Sequence, residues 1–172
     1  MNPDNQITAD LFQHWNGLLV DTSGDEVSEG GQSLRELERL EAFEAFLATL
    51  PGKEIPTFHH FSDGIYMRQI NAPKDSVLIG HEHQHECLNL MLSGRVLTVN
   101  NGRIAQFDAP LILKSGPRTR KASIVVEDMI WVTVHPNPDN ETDIEKLEKQ
   151  LFIPSQTFLK HKSRNEPDPT AV

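Results

Sequence analysis

Cysteine, aromatic residues and long apolar runs are all scarce in this sequence of 172 residues. The single cysteine, Cys87, excludes an internal disulfide and fits a reducing compartment. No run approaches the ~20 apolar residues that a membrane helix needs, and the N-terminus lacks the basic start and apolar core of a signal peptide. These absences predict a soluble cytoplasmic protein with one core domain and short appendages.

Basic residues are also in the minority. The chain has 16 lysines and arginines against 25 aspartates and glutamates, which gives a formal net charge of −9 at pH 7. A surface of this sign repels phosphates, so the composition argues against nucleic acid and anionic membranes as partners.

The two ends of the chain contain little β-like pattern. Residues 1–32 are polar after a short apolar anchor ("LFQHWNGLLV") and predict a flexible N-terminal arm. Residues 33–51 predict an amphipathic helix, with Ser33 and Glu36 at the spacing of a capping box. Near the other end, residues 141–153 predict a second helix, with a possible capping box at Thr142 and Glu145, and residues 154–172 predict a tail.

The segment 56–136 changes to a period of two. Eight short β-rich runs follow one another there, and Asn101-Gly102 is a strong hairpin signal between two of them. Strands at this spacing predict an all-β domain, an antiparallel sandwich or barrel, flanked by the two helices.

Histidines concentrate in "IGHEHQHECLNLMLSG", residues 79–94. In an extended segment His81, His83 and His85 project to one face, and so does Cys87 after them. A third donor for a divalent metal is available in His135, at the end of "WVTVH". Spacing alone leaves two interpretations open: a metal site, or polar histidines without a metal at the mouth of a barrel.

This stretch resembles the first motif of the cupin superfamily, G-x5-H-x-H-x3,4-E-x6-G. His81 and His83 match the paired histidines and Gly94 matches the closing glycine, while Cys87 stands where the glutamate is expected. The second cupin motif is recognisable around Gly116 but has no histidine, so His135 would substitute from another strand. The resemblance implies a jelly-roll barrel that binds Zn, Fe, Mn or Ni, or no metal if the site is lost.

The metal ligands implied in this way are His81, His83, Cys87 and His135. A thiolate ligand suits zinc better than the iron or manganese of many cupins. Residues 58–153 are also similar to small cupin-like proteins of tailed phages and prophages, in which H-x-x-E-H precedes an apolar strand and "SGR". This similarity implies a phage-encoded protein, located in the host cytoplasm or in the virion.

Basic side chains near the predicted barrel mouth are candidates for ligand binding. Arg120 and Lys121 lie in "RTRK", which predicts either an anion site or a solvated turn. Arg68 lies on the first strand and faces the barrel lumen if its neighbour Met67 does not.

Two functions follow as hypotheses. The first is a cupin domain that binds a small molecule, a divalent metal or both; for an enzyme, the resemblance implies a metal-assisted dioxygenase, isomerase or lyase. The second is a non-catalytic phage protein that serves in assembly or binds a host factor. In either case we expect a homodimer or a larger homo-oligomer, since such barrels pair through a sheet edge.

Overall fold

A computed structural model describes residues 3–52 and 54–165 of the chain. In chain order its elements are α1 (Pro3–Asn16), α2 (Leu34–Leu47), β1 (Thr57–Ser62), β2 (Gly64–Ala72), β3 (Val77–Ile79), β4 (Glu82–His83), β5 (Cys87–Asn100), β6 (Arg103–Asp108), β7 (Leu111–Ser115), β8 (Ala122–Asn137), α3 (Ile144–Leu151), β9 (Phe152–Ile153) and α4 (Gln156–Asn165). Within this part of the chain, no helix has the length and apolarity to cross a membrane.

Two long strands, β5 and β8, organise the barrel. The first half of β5 pairs with the last third of β8, and in this layer the order is β1-β2-β8-β5-β7. The second half of β5 pairs with the start of β8, between β3 and β6. All of these pairings are antiparallel, so the predicted all-β jelly-roll barrel of the cupin type, with flanking helices, is confirmed.

Gly94 lies where β5 passes from one layer to the other. Its φ is +94°, and a Cβ there would lie 2.5 Å from the carbonyl oxygen of Asp128. The register of β5 on β8 shifts on both sides of this residue, which marks a β-bulge. Only glycine permits so close an approach, which explains in physical terms why a glycine closes the histidine-rich stretch.

The core between the two layers is apolar. Its buried members come from both halves of the long strands: Met91 and Val96 from β5, and Val125 and Met129 from β8. The same two strands, β5 and β8, therefore supply part of the apolar core. Elsewhere along their length they carry polar side chains that face the interior of the barrel.

The hairpin predicted at Asn101-Gly102 is present, between β5 and β6. Both residues have positive φ, as a two-residue hairpin turn of this kind requires. Their backbone N–H groups donate to the buried carboxylate of Glu36 on α2, at 2.9 and 3.2 Å. Ser33 caps α2 as predicted, but Glu36 holds this turn instead of completing a capping box.

The predicted flexible arm over residues 1–32 needs correction. Helix α1 occupies Pro3–Asn16, and beyond it Trp15 and Leu18 pack with Phe43 of α2 under the barrel. The apolar anchor provides the burial that orders this segment, whose backbone also passes close to Gly102. Residues 1 and 2 of the predicted arm lie outside the described part of the chain.

The C-terminal elements also differ in detail from the prediction. Helix α3 begins at Ile144, and its N-cap is Asp143, whose carboxylate accepts hydrogen bonds from the N–H groups of Glu145 and Lys146. The predicted capping box at Thr142 is therefore wrong, because the carboxylate of Asp143, one residue later, accepts from both N–H groups. Helix α4 occupies the first part of the predicted tail, and residues 166–172 lie outside the described chain.

Candidate functional site

Three potential metal ligands converge at one end of the barrel. The donor atoms of His83, Cys87 and His135 all lie within 4.8 Å of one another. The Sγ atom of Cys87 is 3.5 Å from Nδ1 of His83, and the ring of His83 stacks on that of His135 with centroids 5.3 Å apart. We call these three residues the His-Cys-His cluster.

Each member of the cluster comes from a different part of the fold. Cys87 opens β5 and His135 lies near the end of β8, on neighbouring strands of one layer. His83 comes from the short strand β4, which is held in place by pairing with β9. The backbone carbonyl of His83 also accepts a hydrogen bond of 2.8 Å from the N–H of Arg118. The histidine is thus fixed by backbone contacts on both sides.

Burial keeps the imidazoles neutral. It lowers the pKa of His83 to about 3, with the neighbouring His135 adding to the effect. Burial likewise lowers the pKa of His135 to about 4, where the charge of Arg68 contributes. Neutral imidazole is the form that ligates metals, so both rings are in the ligating state at neutral pH.

The residues present fit a bound transition metal. Nε2 of His135 is buried without a hydrogen-bond partner among the described residues, which leaves a nitrogen in need of one. A tetrahedral zinc ion places nitrogen and sulfur ligands about 3.3 to 3.6 Å apart. The separation of 3.5 Å between His83 and Cys87 matches that spacing, and the donor atoms of His135 lie within 4.8 Å of both.

Cys87 is supported by Asn89, two residues along the same face of β5. The side-chain amide of Asn89 donates to Sγ of Cys87 at 3.8 Å. Burial raises the pKa of the Cys87 thiol, and this hydrogen bond opposes the rise. A donor aimed at the sulfur stabilises a thiolate, which is the form that ligates metal.

Other residues of the histidine-rich stretch do not join the cluster. His81 lies instead against Phe152 and Phe158, with ring centroids 5.1 and 5.4 Å away, and burial lowers its pKa to about 4. His85 is exposed, because β4 ends at His83 and the chain turns before β5. Glu86 is exposed and pairs with Lys114, so it does not compensate for the missing glutamate.

A cavity of about 330 Å³ lies beside the cluster, inside the barrel. His83 belongs to both, while His81, Arg68 and Lys121 line the cavity. The rest of its lining combines apolar side chains with hydroxyl groups. The apolar members include Ile55, Ile70, Val96, Met129, Trp131 and Phe152.

The three basic residues predicted to bind a ligand differ in their surroundings. Arg120 is 6% exposed, and its guanidinium bonds to the carboxylates of Glu41 and Glu44 at 3.4 and 2.9 Å. It therefore ties α2 to the barrel and has less charge to offer a ligand. Lys121 donates to Ser115 at 2.8 Å. Nε of Arg68 is buried with no partner among the described residues.

Two functional elements were not visible in the sequence. Phe152 contacts the rings of His81, His83 and His135, yet it follows a C-terminal helix by one residue, far from the histidines in sequence. Asn89 resembles any polar residue of a half-buried strand. Its position two residues after Cys87, on the same face, was the only available signal.

The antiparallel strands in two layers, with a polar cluster at one end, define the class of this chain as a jelly-roll barrel. No protein-family model matches the chain, and no curated protein is similar to it. Solved structures resemble it only distantly. An uncharacterized conserved protein with a double-stranded β-helix domain from Klebsiella pneumoniae is 17% identical over 54% of this chain and 85% of its own, with a TM-score of 0.44.

Two further neighbours are described as cupins. An RmlC-like cupin protein from Desulfovibrio desulfuricans is 19% identical over 48% of this chain and 83% of its own, with a TM-score of 0.41. A Cupin 2 conserved barrel domain protein from Salinispora arenicola is 12% identical over 56% and 84%, with the same TM-score. At these low sequence identities and TM-scores, the neighbours support no conclusion about the ligand or activity of this chain. The fold assignment rests on the strand pairing in the chain itself.

Proposed function

We propose that this chain binds a divalent transition metal at the His-Cys-His cluster and a small molecule in the adjoining cavity. The observation that carries the metal proposal is the convergence of three donors from three elements within 4.8 Å. Two neutral imidazoles and a thiol that deprotonates on binding form a set that suits zinc. Three protein ligands leave a coordination position open, as in catalytic rather than purely structural zinc sites.

A metal held in this way would supply a Lewis acid beside the cavity. The residues of the chain provide the surroundings. His83 belongs to the cluster and also lines the cavity, and Phe152 contacts the rings of three histidines and so limits the access of water. The cavity is enclosed enough, and its walls varied enough, to select a ligand by shape and polarity.

The metal proposal is tested by elemental analysis of the purified full-length chain after zinc loading and dialysis. We expect about one zinc per chain. His83→Ala and Cys87→Ser should each lower retained zinc at least tenfold, because each removes a ligand. His85→Ala, the exposed neighbour, is the matched control and should retain zinc. Equal zinc in all four proteins, or none in the wild type, would contradict the proposal.

A second candidate function is an assembly role without catalysis, which the outer face of the barrel favours. Leu88 and Leu92 of β5 and Ile112 of β7 project away from the cavity and are 48%, 55% and 68% exposed. Exposed apolar side chains grouped on one sheet mark an interaction surface. We propose that this surface contacts a second copy of the chain, and the similarity to phage proteins is compatible with such a role.

A further inference from the structure

A continuous band of polar side chains crosses the cavity wall from one cation to another. Arg68 on β2 pairs in register with Thr133 on β8, whose hydroxyl donates to Oδ1 of Asn89 on β5 at 3.1 Å. The amide of Asn89 donates to Ser115 on β7 at 3.0 Å, and Nζ of Lys121 donates to the same hydroxyl at 2.8 Å. All five residues line the cavity.

Asn89, at the centre of this polar band, has no hydrogen-bonding capacity left for a ligand. Oδ1 of Asn89 accepts from Trp131 and Thr133, and its amide group donates to Ser115 and Cys87. An amide has two donor hydrogens and two acceptor lone pairs, and all four are occupied. The charged groups that remain available to a ligand lie at the two ends of the band, which are both cationic.

Neither cation has a carboxylate partner in the described part of the chain. Among residues 3–52 and 54–165, no aspartate or glutamate forms an ion pair with Arg68 or Lys121, whereas Arg120 nearby has two such partners. The described residues that line the cavity include Arg68, Arg120 and Lys121 but no aspartate or glutamate, although the whole chain carries a net charge of −9. A charge removed from water and left without a partner is costly, so a counter-charge is missing at this place.

From this arrangement we infer that the cavity binds a small molecule through a carboxylate, which is held between Arg68 and Lys121 while its apolar part packs on Trp131 and Met129. A guanidinium with a free N–H and an ammonium with one bonded hydrogen form charge-assisted hydrogen bonds to carboxylate oxygens. The apolar side chains beside the band favour a ligand with a hydrocarbon or aromatic body. The inference rests on the small-molecule half of the proposed function and does not depend on the metal.

Matched pairs of acids and amides test this inference. Benzoate, hexanoate and succinate are titrated into the full-length protein against benzamide, hexanamide and succinamide, and binding is followed by calorimetry. We expect at least one acid to bind at least tenfold more tightly than its amide, because the amide has the same shape but no charge. Equal affinities across all pairs, or no binding of any acid, would overturn the inference.

Variants identify which residues form the subsite. Arg68→Met and Lys121→Met keep most of the side-chain volume and should each weaken binding of the preferred acid at least tenfold. Lys114→Met removes an exposed lysine that pairs with Glu86 outside the cavity, and should leave affinity unchanged. A loss of affinity in Lys114→Met equal to that in Lys121→Met would indicate a general charge effect and overturn the assignment.

The metal proposal is separated from this one by repeating the titrations with Cys87→Ser and with wild-type protein dialysed against EDTA. Binding of the acid that persists without zinc and is lost in Arg68→Met supports the carboxylate subsite even if the metal site fails. Binding that requires zinc and is unaffected by Arg68→Met would overturn the subsite and leave the metal site standing. Phenyl phosphate is the last probe; tighter binding of it than of benzoate would overturn the choice of a carboxylate.

Discussion

Asn89 connects the side chains of the cavity wall through hydrogen bonds. It is 5% exposed and joins four side chains from three strands, including the indole of Trp131 at 3.1 Å. Its neighbour Cys87 belongs to the His-Cys-His cluster, and its hydrogen-bond partner Ser115 also accepts from Lys121. The side-chain amide of Asn89 thus contacts both the His-Cys-His cluster and the polar band.

We expect Asn89→Leu to destabilise the fold by about 2 to 4 kcal/mol, since it leaves buried hydroxyl and indole groups without their partner. Urea unfolding followed by tryptophan fluorescence measures the loss. Gln106→Ala on the exposed strand β6 removes a hydrogen bond to Asp108 at the surface and should change the free energy of unfolding by less than ~0.5 kcal/mol. Similar unfolding curves for Asn89→Leu and the wild type would show that the network contributes little.

Much of this site, but not all of it, could be predicted from the sequence. Alternation along β5 predicted that Cys87 and Asn89 share a face, and both are buried in the structure; His135 was considered as a third donor because it lies near the end of a strand. The histidine run was less predictable, because alternation holds only while the backbone is extended. The chain turns after His83, which leaves His85 in solvent, and His81 lies against aromatic rings that come from the C-terminus.

At the scale of elements, the C-terminal segment closes the site. The two residues of β9 pair with β4, and the side chain of Gln84 donates to the carbonyls of Lys149 and Phe152. Phe152 is 8% exposed and makes edge contacts with His83 and His135. Helix α3 positions Phe152, because Leu147 and Leu151 pack beside Tyr66 and hold the helix against the barrel.

Removal of the Phe152 ring should therefore affect stability and metal binding together. We expect Phe152→Ala to lower the free energy of unfolding by about 2 to 4 kcal/mol, because it opens a cavity among buried rings. Zinc affinity, measured by competition with a chelator, should fall because His83 loses the contact that orients it. Phe12→Ala, which removes a ring 58% exposed on α1, is the control and should leave zinc affinity unchanged. Unaltered zinc affinity in Phe152→Ala would mean that the backbone pairing of β4 alone positions the histidine.

Composition alone predicted a flexible N-terminal arm, and the contacts of Gln32 show why this prediction failed. The acidic, glycine-rich run before Gln32 has the makeup of a linker, but Gln32 itself is 2% exposed and its amide pairs with both backbone groups of Arg120. This pairing is a long-range contact between residues 88 positions apart. No local pattern encodes such a contact, so the helix at 34–47 was predictable from its periodicity while the ordered segment before it was not.

At the scale of the whole molecule, the charge is separated between outside and inside. The chain is acidic overall, whereas the cavity wall is basic. A negative exterior slows the approach of anions in general through long-range repulsion. Inside the cavity, Arg68 and Lys121 stabilise only an anion whose shape lets it contact both of them. The arrangement favours selectivity over speed of association.

The distribution of apolar surface leads to the last prediction, which concerns assembly. The outer face of the layer that contains β5 and β7 exposes Leu88, Leu92 and Ile112, and one patch of this kind can meet its own copy across a two-fold axis. We expect light scattering after gel filtration to give at least twice the chain mass of 19.4 kDa. Leu92→Asp should shift the protein to a monomer, since a carboxylate buried in an apolar contact lacks a partner.

Ile104→Asp is the matched control for this experiment. Ile104 is 47% exposed, close to the value for Leu88, but it lies on β6 in the other layer of the barrel. A charge placed there should leave the oligomer intact if the face of β5 and β7 forms the contact. A monomeric wild type at every concentration would exclude self-association through this face, and an oligomer that Ile104→Asp breaks while Leu92→Asp does not would move the interface to the β6 side. Leu88, Leu92 and Ile112 are not among the described residues that line the cavity, so in the expected case assembly and ligand binding use different surfaces.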